Sequence, residues 1–469
     1  MIMNKSYDLV VLGGGPAGEK GAAQAAYFGK RVALVEKDEV LGGAACNTGT
    51  LPSKTLRETA VTLSAFRSRE LYGLDLSLRR QVTVQDLLLR ESAVKATERL
   101  EIAANIKRHG IELFRGAASF VGPNAVEVTR DGAEPRVLEF EKCLIATGST
   151  PRRPGLFPFE DARIWDSDEV LNLDAMPRRM AVVGGGVIGC EYACVFAALG
   201  VQVHLIHDRQ DILPFLDRDI CAVLQGRMGA LGVTFILGDR VTGCDSTPRG
   251  VKLRLSEKEL RVDAVLVAAG RQGNVQGLNL EVAGIHAGGG GVISVNENFQ
   301  TDQPHIYAAG DVIGFPALAS TSMEQARMAM VHAFDLGYKK SVASVLPLAI
   351  YTIPEVAMAG ETEKTLLAKG VEYVVGRSFY DRNARGKIIG DRDGVLKLIF
   401  GLSDMKLLGV SVVGEIASEV VHVGLIGLMV DADHHLFIET CFNYPTLGQL
   451  YKYATYDAMQ QRAKRADST

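Results

Sequence analysis

The chain has 469 residues, 47% hydrophobic and 23% charged, a balance ordinary for a globular protein but too long for one core, so two to four domains are expected. Its 51 basic and 55 acidic residues leave a formal charge of −4, which argues against nucleic acid or an anionic membrane as a partner. The opening MIMNKSYDLVVLGGG lacks a signal-peptide pattern, and the apolar run 420–430 contains His422 and is about half of the ~20 residues a membrane span needs, so a cytoplasmic protein is expected.

In chain order, Tyr7 to Leu12 reads as an apolar strand ending in a turn with Gly13, Gly15 and Gly18. An alanine-rich helix to about Phe28 follows, then a strand from Arg31 to Val35 that ends at Glu36 beside Lys37. Strand, glycine turn, helix, strand and acid together form a dinucleotide-binding unit: the turn admits a pyrophosphate, the helix N-terminus faces its charge, and the carboxylate takes a ribose hydroxyl. The stretch LGGAACNTGTLPSKTLR, Leu41 to Arg57, comes next, with a helix opening at Thr50 to Ser53. A long amphipathic helix is expected from Leu87 to Arg108, strands and turns from Phe114 to Val128 around Ala118, and a buried strand from Cys143 running into Thr147, Gly148, Ser149 and Pro151.

A second unit starts at Arg178 to Val183, with Gly184, Gly186 and Gly189, a helix through Leu199 and a strand from Gln202 to Ile206. Two dinucleotide sites on one chain allow two reactive rings to be stacked, and hydride transfer requires only that contact. At the position of the acid stands His207, followed by Asp208 and Arg209. An acid there favours NAD and a pair of arginines favours NADP; a neutral histidine with one arginine is compatible with both, although a solvated turn is the plainer alternative. Glu191 has mostly apolar neighbours on its helix, which suggests a buried, paired carboxylate. Val262 to Arg271 reads as one buried strand ending in Gly270 and Arg271; Thr301 to Val312 carries Asp311 after a glycine turn, ahead of Leu318 and Ala319. From about Leu346 the composition changes to strands and short helices. The seven cysteines, 46, 143, 190, 194, 221, 244 and 441, show neither a C-x-x-C pair nor metal-ligand spacing, so buried free thiols and no metal site are expected.

The run GG-x-x-x-N-x-G-x-x-PSK from Gly42, with ATGS-x-P at 146–151 and PHIYAAGD at 304–311, resembles the pyridine nucleotide-disulfide oxidoreductases. The resemblance implies an α/β chain with two Rossmann-like dinucleotide-binding domains and a C-terminal α+β dimerisation domain. FAD would bind to 1–150 and 272–345, NAD or NADP to 151–271, and a second copy to 346–469. It further implies FAD contacts at Gly42, Gly43, Ala44, Ala45, Ala118, Thr147, Gly148, Ser149, Asp311, Leu318 and Ala319, and a Lys54–Glu191 pair beside the flavin. The family's two redox cysteines, five apart, fall on Ala45 and Thr50; Cys46 is one residue out of register. In the loop Phe442 to Gln449, expected to reach the partner's flavin in a homodimer, Tyr444 replaces the family's histidine base and Gln449 its glutamate.

The thiol half of the chemistry is therefore removed and the hydride half retained. This implies FAD-mediated transfer from NADPH to NAD by a ping-pong path, as in the soluble transhydrogenase branch that the chain resembles over nearly its whole length. That branch commonly keeps a cysteine at the position of Ala45 and a glutamate at that of Gln449. Thr50 is placed to hydrogen-bond the flavin or simply to fill the thiol's space. Two other readings stay open: a diaphorase passing electrons to a quinone, and a non-catalytic redox sensor linking Cys46 of one copy to Cys441 of another.

Overall fold

The computed structural model describes residues 5–64 and 82–466. Its first unit runs β1 (Lys5–Leu12), α1 (Pro16–Tyr27), β2 (Val32–Glu36), α2 (Gly43–Asn47), α3 (Thr50–Ser64), α4 (Val84–Arg108), β3 (Glu112–Arg115), β4 (Ala117–Gly122), β5 (Ala125–Thr129) and β6 (Arg136–Ile145). Strands β3, β2, β1 and β6 lie in that order and in parallel; β6 continues antiparallel to β5 and then β4. The run LVVL is apolar at every position because both faces of β1 are covered. Leu9 and Val11 pack under α1 in one core, and Val10 and Leu12 in another with Phe120 and Phe140.

After β7 (Ser149–Pro151) and β8 (Ile164–Asp166) the second unit repeats the plan: β9 (Arg179–Val183), α5 (Val187–Ala198), β10 (Gln202–His207), α6 (Arg218–Leu231) and β11 (Val233–Leu237). A small antiparallel sheet of β12 (Gly243–Thr247), β13 (Gly250–Arg254) and β14 (Glu259–Val262) precedes β15 (Ala264–Val267). The main sheet has the order β11-β10-β9-β15-β8, all parallel. The single strand expected over Val262 to Arg271 is therefore divided. Asp263 separates β14 from β15 and accepts hydrogen bonds from the backbone N–H groups of Arg178 and Arg179 at 3.1 and 2.8 Å, so the chain leaves one sheet and enters another at that residue.

The next strand, β16 (Arg271–Gly273), pairs antiparallel with β7, bringing the two chain crossings side by side. Then β17 (Ile306–Ala308) joins β6 in the first sheet, and α7 (Ala319–Ala333) packs against α1. The C-terminal part is β18 (Leu348–Ile350), β19 (Glu355–Gly360), α8 (Glu363–Lys369), β20 (Tyr373–Phe379), α9 (Ala384–Ile389), β21 (Val395–Gly401), β22 (Leu407–Gly414), α10 (Ala417–Met429), α11 (His435–Glu439) and α12 (Gln449–Ala466). Its five strands form an antiparallel sheet of order β18-β19-β22-β21-β20. No helix among the described residues is long and apolar enough to cross a membrane.

Candidate active site

Each βαβ unit closes on itself through one glycine geometry. Gly13 has φ +104 and Gly184 φ +118, and a Cβ on either would lie 2.4 or 2.3 Å from the carbonyl oxygen of Ala146 or Ala268. One turn into the helix, a Cβ on Gly18 or Gly189 would stand 1.8 or 1.9 Å from the carbonyl oxygen of Gly13 or Gly184, so only glycine lets helix and strand approach this closely. Gly15 and Gly186 cap α1 and α5, leaving first-turn N–H groups available to an anion.

In the first unit Glu36 is 6% exposed and accepts hydrogen bonds from Gly14 N at 2.7 Å and Asp38 N at 3.0 Å. Burial raises its pKa, and the two N–H donors work against that rise. Lys37 beside it is exposed. The hydroxyls of Thr147, after β6, and Thr48, between α2 and α3, are buried without a hydrogen-bond partner. Buried hydroxyls are seldom left so, and Thr147 lies against the turn, its Cα 3.2 Å from where Gly13 would carry a Cβ. Asp311 accepts a hydrogen bond from Ser149 Oγ at 2.7 Å through one carboxylate oxygen. Gly148 sits at positive φ between Thr147 and β7, Ala118 lies half-buried on β4, Leu318 caps α7, and Ala319 begins it. Narrow turn, buried acid, unpartnered hydroxyls and helix N-terminus fit a flavin dinucleotide. Thr48 was missed because nothing in the sequence distinguishes it from an ordinary loop threonine.

The helix expected to open at Thr50 to Ser53 is α3, and ahead of it Gly42 is a left-handed cap and Gly43, Ala44 and Ala45 start the short α2, with a break at Thr48 and Gly49. Ala45 is half-buried and Thr50 exposed. Cys46 is 2% exposed, in a core with Ile102, and its sulfur approaches Lys95 O at 4.0 Å. Burial raises its thiol pKa, which keeps it protonated and unreactive. Cys441 is exposed, against the expectation of burial, because it lies on the loop after α11; all seven cysteines are free. A sensor bond from Cys46 would have to draw a core side chain out.

Three segments meet at Glu191, which is 4% exposed. Lys54 Nζ lies 2.9 and 2.8 Å from its two carboxylate oxygens, and the Tyr351 N–H donates to Oε1 at 2.9 Å. Ser53 Oγ stands 3.5 Å from Oε2 and 3.2 Å from the Lys54 ammonium, which also sits 4.9 Å above the Tyr351 ring centroid. Behind this group Arg57, 2% exposed, donates through Nε to Thr352 O at 2.9 Å and pairs with Glu355 at 3.3 Å. The carboxylate thereby fixes the ammonium at the junction of α3, α5 and the turn after β18. Sequence reasoning missed Tyr351, whose contribution is a backbone N–H, and Arg57; the YTIPE and PSKTLR runs were the available signals.

In the second unit His207 ends β10 as Glu36 ends β2; its Nδ1 is 3.2 Å from Asp208 Oδ1, and Arg209 is exposed. Gly270 is exposed. Arg271, expected on a nucleotide, directs its guanidinium instead to Ser149 Oγ at 2.8 Å, Ser149 O at 2.7 Å and Asp168 at 3.2 Å, clasping the two crossings. In the C-terminal part Tyr444 is 70% exposed before a cis Pro445, and Gln449 begins α12. Val423, Ile426, Met429, Tyr453 and Tyr456 are exposed on α10 and α12.

Residues 7–333 match the family described as pyridine nucleotide-disulphide oxidoreductase, and residues 346–455 match that family's dimerisation domain. A protein named soluble pyridine nucleotide transhydrogenase from Mycobacterium bovis is 41% identical over 459 residues, 97% of this chain and 98% of the relative. One of the same name from Marinomonas is 38% identical over 461 residues, 97% and 99% of the two chains. Among solved structures, LpdA from Mycobacterium tuberculosis superposes with a TM-score of 0.88 at 27% identity, covering 96% of this chain and 99% of that one. The Cu(II) complex of the HOCl-induced flavoprotein disulfide reductase RclA from Escherichia coli gives 0.87 at 26%, covering 97% and 99%.

Proposed function

Because the chain belongs to the pyridine nucleotide-disulphide oxidoreductase family and is an FAD-dependent oxidoreductase, we propose that it moves hydride from NADPH to NAD+ through FAD, giving NADP+ and NADH. FAD, when bound, supplies a ring that accepts and returns a hydride at one face. The first glycine turn and Glu36 would hold its pyrophosphate and a ribose hydroxyl, Thr48 and Thr147 would gain partners, and Asp311, steadied by Ser149, would take the ribityl chain. Lys54 would hold a positive charge at the ring, and Glu191 keeps that charge in place. A fixed cation at the point where negative charge develops lowers the barrier without reorganisation.

The observation that carries the reading is that the family's thiol outlet is closed while the cation is kept. Ala45 and Thr50 cannot be oxidised, and Cys46 is buried with a raised pKa, whereas Lys54 remains paired to Glu191 at 2.8 Å. Electrons received from one nicotinamide thus leave through the same pocket to the next, and Arg209 near the ribose takes the 2'-phosphate when there is one. The relatives named transhydrogenase, similar over 97% of the chain, support this reading. Two copies pair through the C-terminal domain, with the Tyr444 loop of one roofing the flavin of the other. Initial rates test the scheme: plots against NADPH at several thio-NAD concentrations should be parallel, and intersecting lines would show that both nucleotides must be bound together.

A further inference from the structure

The two units superpose their chemistry as well as their strands. In the first, a carboxylate oxygen of Glu36 lies 3.1 Å from where Gly14 would carry a Cβ; in the second, His207 Cδ2 lies 2.7 Å from where Gly185 would carry one. The imidazole therefore occupies the place that, in its own chain's other half, belongs to a ribose-binding acid. Its side chain is 14% exposed, and Nδ1 faces Asp208 Oδ1 at 3.2 Å. The charge of the neighbouring Asp208 carboxylate favours a proton on Nδ1 and leaves Nε2, bonded to Cδ2 and so on the side of the turn, to change between acceptor and donor.

We propose that His207 is a proton-operated selector of the nucleotide's 2' position. This rests on the second unit being the nicotinamide nucleotide site, as argued above. Neutral, Nε2 accepts from a 2'-hydroxyl, as a carboxylate does; protonated, it donates to a 2'-phosphate beside Arg209. Acid therefore shifts the pocket toward NADP(H) and alkali toward NAD(H).

The charged groups around the ring are few. Asp208 and Arg209 lie on its own strand end. From the β11 side Asp239 offers its backbone N–H to His207 O at 3.2 Å, while its carboxylate accepts from Arg240 N and Ser256 N at 2.8 and 3.1 Å. Gly185 and Ile212, on the side of the turn, carry no charge. Burial chiefly, and Arg209 after it, lower the imidazole pKa, with Asp208 opposing. A phosphate dianion at Nε2 reverses that balance, so NADP binding should take up protons near neutrality.

The test uses the flavin-loaded protein with 2',5'-ADP and 5'-AMP, which differ only at the 2' position and carry no nicotinamide. Their dissociation constants are measured from pH 5.5 to 8 for the unmodified protein, H207Q and H207N. The 2'-phosphate itself titrates near pH 6, so the variants set the baseline. If the bound phosphate raises the imidazole pKa by about one unit, the unmodified protein should gain several-fold, at most about tenfold, in preference for 2',5'-ADP over that baseline on going from pH 8 to 5.5. Calorimetry of the unmodified protein in two buffers of different ionisation enthalpy should show more proton uptake with 2',5'-ADP than the variants show. Parallel selectivity profiles with equal proton uptake would overturn the selector, and absence of binding by either probe would overturn it together with the nucleotide site. A pH-linked preference in a protein that fails to exchange hydride would leave the selector standing and refute only the proposed reaction.

Discussion

The ammonium of Lys54 on α3 meets both carboxylate oxygens of Glu191 on α5, 137 residues away, and the Tyr351 N–H closes the remaining side of the pair. The two partners are unequally buried: the Lys54 side chain is 26% exposed and that of Glu191 6%. Removing the lysine strands a carboxylate away from water, whereas removing the carboxylate leaves a lysine that can turn outward. Lys54→Met should therefore lower unfolding stability by about 3 kcal/mol and Glu191→Gln by clearly less, as read by denaturant melts. Both should slow flavin reduction by NADPH by about 100-fold, read by stopped flow at saturating NADPH. Equal melts, or unchanged reduction, would count against the pair's role.

Arg57 supports the same junction from behind. Its guanidinium ties α3 to Thr352 O and Glu355 while itself 2% exposed, so Arg57→Met leaves Glu355 buried, held by the N–H and hydroxyl of Ser418. A loss of about 3–5 kcal/mol is expected. A melting temperature unmoved from that of the unmodified protein would show that the clasp is incidental.

Glu36 carries a pH signature. Its folded pKa is raised above its ordinary value, chiefly by burial, so in the flavin-free protein the folded state holds this proton more tightly than the unfolded state. Stability from this group is full below the unfolded pKa and is lost as pH rises through the raised one. Glu36→Gln should remove that decline, giving flavin-free melts that fall less between pH 4 and 7, while FAD affinity weakens about tenfold for want of a charged ribose acceptor. Melts that decline as in the unmodified protein would contradict the assignment.

Arg209 is placed to read the 2'-phosphate. Replacing it with alanine should raise the Michaelis constant for NADPH by about 10–100-fold, the worth of a hydrogen bond to a charged group, and that for NADH by little. Equal changes in the two constants would remove Arg209 from the account.

Both βαβ units were legible because glycine spacing, helix length and the closing residue at Glu36 or His207 are local features. The meeting of Lys54 with Glu191 was legible only through resemblance, since no local pattern joins residues so far apart. What escaped was tertiary. Asp263 interrupts an apolar run because its carboxylate captures two N–H groups at the start of β9, a contact 84–85 residues distant. Arg271 faces Ser149 and Asp168 because β16 pairs with β7, which no stretch of either strand announces. Tyr351 acts through its main chain, and main-chain donors have no letter in the sequence.

The closed thiol outlet is tested most directly by an anaerobic experiment in two steps. NADPH is titrated into the flavin-loaded protein to complete bleaching, NADP+ is removed, and thio-NAD is added. The account predicts an end point of two electrons per flavin, followed by return of the flavin colour in step with formation of reduced thio-NAD, one for one. An end point of four electrons, or a reduced flavin that oxygen reoxidises but thio-NAD does not, would contradict it.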